Sequence, residues 1–247
     1  LQNQLENNSV KVKLFIDKKR PTTFKKRYLV ENQKLFRVSR LDDHLINRQI
    51  TKNILDHIEK ISHSVNGIII SDFVYGLITE ELITGIVNCA KKNNIKLFGD
   101  LQCSSQIGDI SRMKDFTMLC PNEREARISL QDKDIGLDEL CRNLIKKSRC
   151  DNLIMKLGAD GFVVYSKEKG DTLRIQEFPA LSVNPVDVSG AGDTLLSIMA
   201  AGVSIGVPIM DMAALACCGS AIAVDTMGNK PIEIERVVEK AINIINN

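Results

Sequence analysis

Residues 187–194, Asp-Val-Ser-Gly-Ala-Gly-Asp-Thr, form the stretch of the chain whose residue types best suit chemistry. The small residues at 190–192 leave backbone N–H groups uncovered, and a helix predicted from 195 to about 203 adds free N–H groups and a positive dipole end. Such a loop binds an anion, most naturally a phosphate. The carboxylate of Asp193 would repel a phosphate, so its presence in such a loop indicates a chemical role. One such role is to accept the proton of a hydroxyl that attacks phosphorus. A helix N-cap explains this Asp equally well.

Asn122 and Glu125 form a second candidate pair, because they follow a predicted strand and lie three residues apart on one face of a predicted helix. An amide and a carboxylate at that place suit a hydrated Mg²⁺ that also contacts phosphate oxygens, since Mg²⁺ prefers oxygen ligands and retains its waters. The same two residues match a capping box. On the residues alone, the capping box is the favoured interpretation.

Residues 156–161, Lys-Leu-Gly-Ala-Asp-Gly, join two predicted strands. Gly158 and Gly161 permit positive φ and a close approach of the backbone to a ligand. A plain hairpin turn explains these residues equally well.

The elements that must position these residues alternate between strands and helices. The predicted strands are 67–71, 96–99, 116–119, 152–156, 162–165 and 173–178, and the predicted helices are 45–63, 80–93, one from 122, 137–147 and most of 191–245. This alternation favours a parallel sheet covered on both faces. Asp72 and Asp100 end the first two strands, and ligands bind at the carboxyl ends of such strands, so we expect both carboxylates to edge one crevice.

The N-terminal part has a different pattern. Residues 10–16 alternate apolar and polar side chains as a half-buried strand does, and 22–30 and 34–38 are predicted to be two further strands after an irregular start at 1–9. Three strands without an intervening helix favour an antiparallel sheet. No linker or repeat is present, so we expect residues 1–40 to form a β flap or lid on one integrated core of residues 41–247.

Composition narrows the function classes. The 247 residues are 44% hydrophobic and 26% charged with a net charge of +2, which is typical of a globular protein and indicates neither a nucleic-acid nor a membrane partner. The seven cysteines are odd in number and include no C-x-x-C pair, so neither a disulfide framework nor a zinc site is favoured. No signal peptide or membrane-spanning apolar run is found, and we expect a cytoplasmic protein with reduced thiols.

The stretch 187–194 resembles the C-terminal signature of the ribokinase-like (PfkB) sugar-kinase family, an Asp and two variable residues followed by Gly-Ala-Gly-Asp-Thr. The resemblance implies a three-layer, doubly wound α/β fold with a mostly parallel sheet and a small β flap. It implies that Asp193 is the catalytic base and that the backbone of Gly190, Ala191 and Gly192 is the anion hole for the transferred phosphoryl group. It also implies a monovalent-cation site, such as one for K⁺, at Asp187 and Ser189.

The resemblance extends over about residues 22–245, with its motifs in family order. Asn122 and Glu125 match the N-x-x-E motif, which implies a water-mediated Mg²⁺ site and reverses the preference for a capping box alone. The implied ATP contacts are Asn122, Glu125, Lys156, Gly158, Gly161, Ser220, Gly228 and Asn229.

Residues 22–27, Thr-Thr-Phe-Lys-Lys-Arg, resemble the Thr-Thr-x-Lys-x-Arg of the heptose-7-phosphate kinase branch, which implies substrate contacts by Arg27, Asp72 and Asp100. Two segments depart from that branch. Residues 72–76 are Asp-Phe-Val-Tyr-Gly where the branch has Asp-Tyr-Gly-Lys-Gly, and 100–102 are Asp-Leu-Gln where it has Asp-Pro-Lys. The two lysines that this chain lacks are suited to bind a sugar phosphate, so the resemblance does not determine which sugar is the substrate.

The implied function is ATP-dependent phosphorylation of a sugar or sugar-phosphate hydroxyl, with ATP, Mg²⁺ and K⁺. We also expect a homodimer that pairs through the β flap, because a small sheet with exposed edges is a natural pairing surface. The alternative is a catalytically silent relative that binds nucleotide or sugar and acts through oligomerisation. A dinucleotide-binding oxidoreductase is disfavoured because Leu195 stands where the third glycine of its motif belongs.

Family members normally begin with a further strand, a Gly-Gly pair and an Asn that hold the sugar, and this segment would precede Leu1. If Leu1 starts the polypeptide, we expect a chain that keeps much of the ATP half-site, phosphorylates no sugar and is marginally stable. If the natural chain is longer, we expect a hydrophobic strand and a Gly-Gly pair upstream.

Overall fold

The computed structural model describes residues 2–8, 10–30, 33–103, 106–182, 185–228 and 230–246. The strands are β1 Phe24–Val30, β2 Gln33–Arg40, β3 Gly67–Asp72, β4 Lys96–Leu101, β5 Met118–Leu119, β6 Asn152–Lys156, β7 Phe162–Lys167 and β8 Leu173–Phe178. The α-helices are α1 Gln2–Glu6, α2 Arg48–Ile61, α3 Glu80–Asn93, α4 Glu123–Leu130, α5 Leu137–Ser148, α6 Ala191–Ser204, α7 Ile209–Val224 and α8 Ile234–Ile245.

Strands β3 to β8 form one six-stranded sheet in chain order. β3, β4, β5 and β6 are parallel, and β7 and β8 continue the sheet antiparallel. The apolar run Leu153, Ile154 and Met155 of β6 is fully buried, as a strand covered on both faces requires. The predicted mostly parallel sheet is confirmed, and its four parallel strands present their carboxyl ends at one edge.

Helices cover both faces of this sheet. On one face α3 and α5 contribute buried side chains such as Leu82 and Leu144, and on the other α6 and α7 contribute Met199 and Ala216. Alternating strands and helices bury one helix layer on each side, which gives the three layers that the resemblance implies.

The predicted strand at residues 10–16 is wrong, because these residues have no regular secondary structure. Val10, Leu14 and Ile16 are exposed, so the alternation in the sequence does not reflect one buried face. A strand also needs a neighbour for its backbone hydrogen bonds, and within the described residues β1 and β2 pair only with each other. Residues 2–6, expected to be irregular, form α1 instead.

The antiparallel pair β1–β2, called the flap below, lies near the carboxyl end of β3. The Lys25 ammonium lies 5.1 Å from the ring centre of Phe73 and 5.0 Å from that of Tyr75, both just beyond β3. Just before the flap, Arg20 donates from Nη1 to the Tyr75 carbonyl at 2.6 Å. The flap therefore adjoins the edge of the sheet where the functional residues are expected.

A search of the described helices for a candidate membrane span finds none with the necessary length and apolar character.

Candidate active site

The small-residue loop before α6 begins that helix without a side-chain cap. Gly190 is the N-cap residue with φ of +85°, a conformation that favours glycine, and its carbonyl accepts from Thr194 N at 2.9 Å. Before it, Asp187 Oδ1 accepts from Ser189 N at 3.1 Å and tightens the turn. Since no N-cap side chain covers the first turn, its N–H groups are available to an anion.

Asp193 is the third residue of α6, so the interpretation of this residue as the N-cap is wrong. Its side chain is exposed and lies in a cleft of about 480 Å³ that the first turns of α6 form with residues around Lys230 and the start of α8. Gln102, just beyond β4, donates from Nε2 to Asp193 Oδ1 at 3.3 Å. The carboxylate is thus accessible to a hydroxyl group of a ligand.

Asp100 and Lys156 meet at the carboxyl ends of β4 and β6. Lys156 Nζ donates to Asp100 Oδ1 at 2.7 Å, and the two side chains are 18% and 2% exposed, respectively. A Cβ atom added at Gly192 would stand 3.4 Å from the same ammonium, so Lys156 lies against the first turn of α6. The structure therefore brings three sequence candidates, Asp100, Lys156 and Gly192, together.

Burial governs the charges in this cluster. Burial raises the pKa of Asp100, an effect that Lys156 opposes and Asp193 reinforces. Burial also raises the pKa of Glu125, and the positive charge of Lys156 again opposes this increase. For Lys156, burial lowers the pKa, but the attraction of Asp100 and Glu125 outweighs it and the pKa is raised. One ammonium thus serves two buried carboxylates, and the cluster favours a further cation when both are ionised.

Asn122 and Glu125 form the capping box at the start of α4. Asn122 Oδ1 accepts from Glu125 N at 2.9 Å and Glu125 Oε2 accepts from Asn122 N at 2.9 Å, while Cys103 N donates to Glu125 Oε1 at 3.4 Å. No group of three or more His, Cys, Asp or Glu side chains suited to a metal occurs within the described residues. Mg²⁺ needs only one or two carboxylates when phosphates and waters complete its shell, so Glu125 with Asn122 fits a hydrated ion. The metal role stays a prediction.

Glu125→Gln separates the two interpretations, because Gln keeps an oxygen that can accept from the Asn122 amide but removes the charge that attracts a cation. We expect a higher Mg²⁺ requirement and a lower kcat, with a thermal midpoint within about 4 °C of the wild type, which is roughly 1 kcal/mol for a chain of this size. Titration of ATP turnover with Mg²⁺ and differential scanning calorimetry measure both. A large fall in the midpoint with unchanged Mg²⁺ dependence would leave only the capping box.

The glycines of the β6–β7 turn both have positive φ, +64° at Gly158 and +89° at Gly161. A Cβ at Gly161 would stand 2.1 Å from the carbonyl oxygen of Phe178, whereas one at Gly158 would meet nothing within 4 Å. The hairpin at this turn is confirmed by the antiparallel pairing of β6 and β7. Packing against the end of β8 explains the glycine at 161. Gly158 faces open space, and its predicted ATP contact stays a prediction.

The remaining ATP and cation candidates lie around the same loop. Ser220 of α7 donates from Oγ to the Ala191 carbonyl at 3.3 Å, and Gly228 follows α7 with φ of +76°. Asn229 lies outside the described residues. The predicted ATP contacts and the predicted K⁺ site at Asp187 and Ser189 stay predictions.

Asp72 and Arg27 are not brought into the cluster. Asp72 is 2% exposed, its Oδ2 forms an ion pair with Arg112 Nη2, and its Oδ1 accepts from Val74 N at 2.8 Å. Arg27 lies in β1 opposite Arg37. The observed partners give Asp72 a structural role, and its predicted substrate contact stays a prediction.

Sequence reasoning did not identify the roles of Gln102 and Arg112. The place of Gln102 just after a strand puts it at the sheet edge where ligands bind, but no pattern indicates that its side chain meets Asp193. Arg112 ends a short 3-10 helix, Ile110–Arg112, and no local pattern indicates its partner 40 residues earlier.

Sequence comparisons with known proteins find matches over most of the chain. The profile described as pfkB family carbohydrate kinase matches residues 1–234. The bifunctional protein HldE of Helicobacter hepaticus is 31% identical over 93% of this chain and 46% of its own length. The chain thus spans about half the length of the curated relatives it matches.

Solved structures show the same fold. Ribokinase from Thermotoga maritima matches with a TM-score of 0.71 and 16% identity over 99% of this chain and 76% of that one. Ribokinase from Arabidopsis thaliana, complexed with ribose and ATP, matches with a TM-score of 0.68 and 15% identity over 90% and 70%. Identities this low show the fold, which is ribokinase-like, and the profile match shows the family. The chain belongs to the pfkB family of carbohydrate kinases.

Proposed function

We propose that this chain carries a kinase site that transfers the γ-phosphoryl group of ATP to a hydroxyl of a sugar or sugar phosphate. The observation that carries the proposal is the placement of Asp193. Its exposed carboxylate lies in the first turn of α6, directly after the Gly190–Gly192 backbone and inside a cleft of about 480 Å³. A base beside an anion hole is what phosphoryl transfer to a hydroxyl needs.

In this mechanism Asp193 orients the acceptor hydroxyl and takes its proton as the new oxygen–phosphorus bond forms. The bond between the γ-phosphorus and the bridging oxygen breaks, and its electron pair leaves on ADP. The Gly190–Gly192 amides donate to the oxygens of the transferring group and stabilise their charge. Glu125, with Asn122, is proposed to hold a hydrated Mg²⁺, which supplies neutralisation of phosphate charge when bound. Gln102 donates to Asp193 Oδ1 and restrains this carboxylate.

The test is ATP consumption by the natural polypeptide that contains these 247 residues. The panel should contain free sugars, hexose phosphates and a heptose 7-phosphate, the last because residues 22–27 resemble that branch. We expect ADP formation that depends on one acceptor class. Nucleotide binding without turnover on any acceptor would favour the catalytically silent alternative.

We also propose that the flap forms the interface of a homodimer. One face of the flap carries Tyr28 and Phe36, paired in register with rings stacked at 4.5 Å, together with Phe24 and Val38. All four side chains are exposed, and Phe36 is 57% exposed. Lys26 and Arg40 lie on the same face beside them. A two-stranded sheet is marginal in water without further burial, so four exposed apolar side chains on this face favour a partner copy.

Phe36→Glu should convert the dimer to a monomer, because a carboxylate would be buried in the apolar interface. Sedimentation velocity at micromolar concentration measures the change. Ile205→Glu is the matched control, since Ile205 is a comparably exposed apolar residue at the end of α6, far from the flap in sequence. A monomeric wild type, or dissociation by the control alone, would contradict this interface.

A further inference from the structure

Lys156 is the buried cation of the cluster, and it has hydrogen-bonding capacity left over. An ammonium carries three N–H donors. Among the residues that the structure describes, Asp100 Oδ1 is the one hydrogen-bond acceptor seen for Lys156 Nζ, at 2.7 Å. The ammonium therefore has donors to spare in a mostly buried position, although the side chain keeps 18% exposure. A buried donor without an acceptor is unfavourable unless a ligand or water completes it.

The spare donors lie beside the predicted anion hole. A Cβ at Gly192 would stand 3.4 Å from Nζ and 3.6 Å from Cδ, so the end of the Lys156 side chain runs along the first turn of α6. An anion bound to the Gly190–Gly192 amides would lie within a few ångströms of this ammonium, and a charged donor forms stronger hydrogen bonds to phosphate than an amide does.

We propose that Lys156 is a catalytic cation whose ammonium contacts the transferring phosphoryl group, and that Asp100 is the positioning residue that holds it against α6. This inference rests on the proposed kinase function and assigns the charge within that site. Lys156 stays protonated throughout and stabilises negative charge on the phosphoryl oxygens, while the proton of the acceptor hydroxyl goes to Asp193. In this role Asp100 acts through Lys156, and its predicted substrate contact stays a prediction.

The competing explanation is that Lys156 only neutralises buried carboxylates. Two carboxylates, Asp100 and Glu125, attract this one ammonium, and removing it alone would leave Asp100 uncompensated. A single Lys156→Met variant would therefore lose stability whether the ammonium is catalytic or only neutralises carboxylates. The double variant Asp100→Asn/Lys156→Met removes both members of the pair and keeps the side-chain sizes, so it isolates the function of the ammonium.

The measurement is the affinity for Mg·ADP with and without aluminium tetrafluoride, a mimic of the transferring phosphoryl group, by isothermal titration calorimetry. Thermal midpoints are recorded for each variant. We expect the double variant to melt closer to the wild type than Lys156→Met does and to keep its ADP affinity within about fivefold. Its affinity for the ADP–fluoride complex should fall about 100-fold, the size expected for losing one donor to a transition-state anion.

Lys156→Arg should recover part of that affinity, and Lys147→Met should behave as wild type, since Lys147 pairs with Asp109 and the Ser129 carbonyl away from the cluster. A stable double variant that prefers the ADP–fluoride complex as strongly as the wild type would overturn the inference. A further outcome is that the wild type turns over no acceptor while the double variant still loses its preference for the ADP–fluoride complex. That result would support the role of Lys156 and contradict only the proposed function.

Discussion

Asp193→Asn should lower kcat by about 10²–10⁴-fold, the range that a positioned general base contributes, while the Kd for ATP stays within about fivefold. The amide has the shape of the carboxylate and can still accept from Gln102, so the loop and the first turn of α6 should keep their geometry. It cannot take the proton of the acceptor hydroxyl. Steady-state turnover with a saturating acceptor and calorimetric titration with ATP separate the two effects.

Asp211→Asn is the matched control. Asp211 is the third residue of α7, as Asp193 is of α6, and both side chains are exposed. Both substitutions therefore remove one favourable charge from the start of a helix, an effect of about 0.3–1 kcal/mol on stability. If Asp193→Asn kept more than about a tenth of the wild-type kcat, Asp193 would not be the base.

Arg112→Leu should destabilise the fold by about 3–5 kcal/mol, because it leaves the buried carboxylate of Asp72 without its cation. Arg112 pairs with Asp72 through Nη2, which also donates to the Ile78 carbonyl at 2.8 Å, so it joins the end of β3 to the loop that follows. For a chain of this size we expect a fall in Tm of about 6–20 °C. Thermal and denaturant unfolding measure it.

Two further variants test the cause. Asp72→Asn/Arg112→Leu should recover much of the stability, because no buried charge is then left without a partner. Arg142→Leu should shift stability by less than about 1 kcal/mol, since its ion pair with Asp138 is solvent-exposed. If Arg112→Leu also cost less than about 1 kcal/mol, Asp72 would not depend on this partner and would again be a candidate substrate ligand.

The sequence by itself determined the elements whose signals are local. Helix α3 spans Glu80–Asn93 as the sequence pattern predicts, and in the structure the Thr79 hydroxyl caps its start and Asn94, with φ of +54°, ends it. The capping box at Asn122 and Glu125 is likewise readable from adjacent residues. A helix after the small-residue loop is readable too, but it begins at Ala191 and not at 195. These features depend on contacts within a few residues of the chain, which a sequence pattern records directly.

Only the tertiary structure decided which side chains meet. Lys156 reaches Asp100 across 56 residues, because parallel strands bring their carboxyl ends to one edge whatever their separation in the chain. Gln102 reaches Asp193 across 91 residues, because α6 begins beside that edge. The strand predicted at 10–16 failed for the complementary reason. Alternation indicates which side chains share a face, but a strand forms only where the fold supplies a neighbour for its backbone and a core for its apolar face.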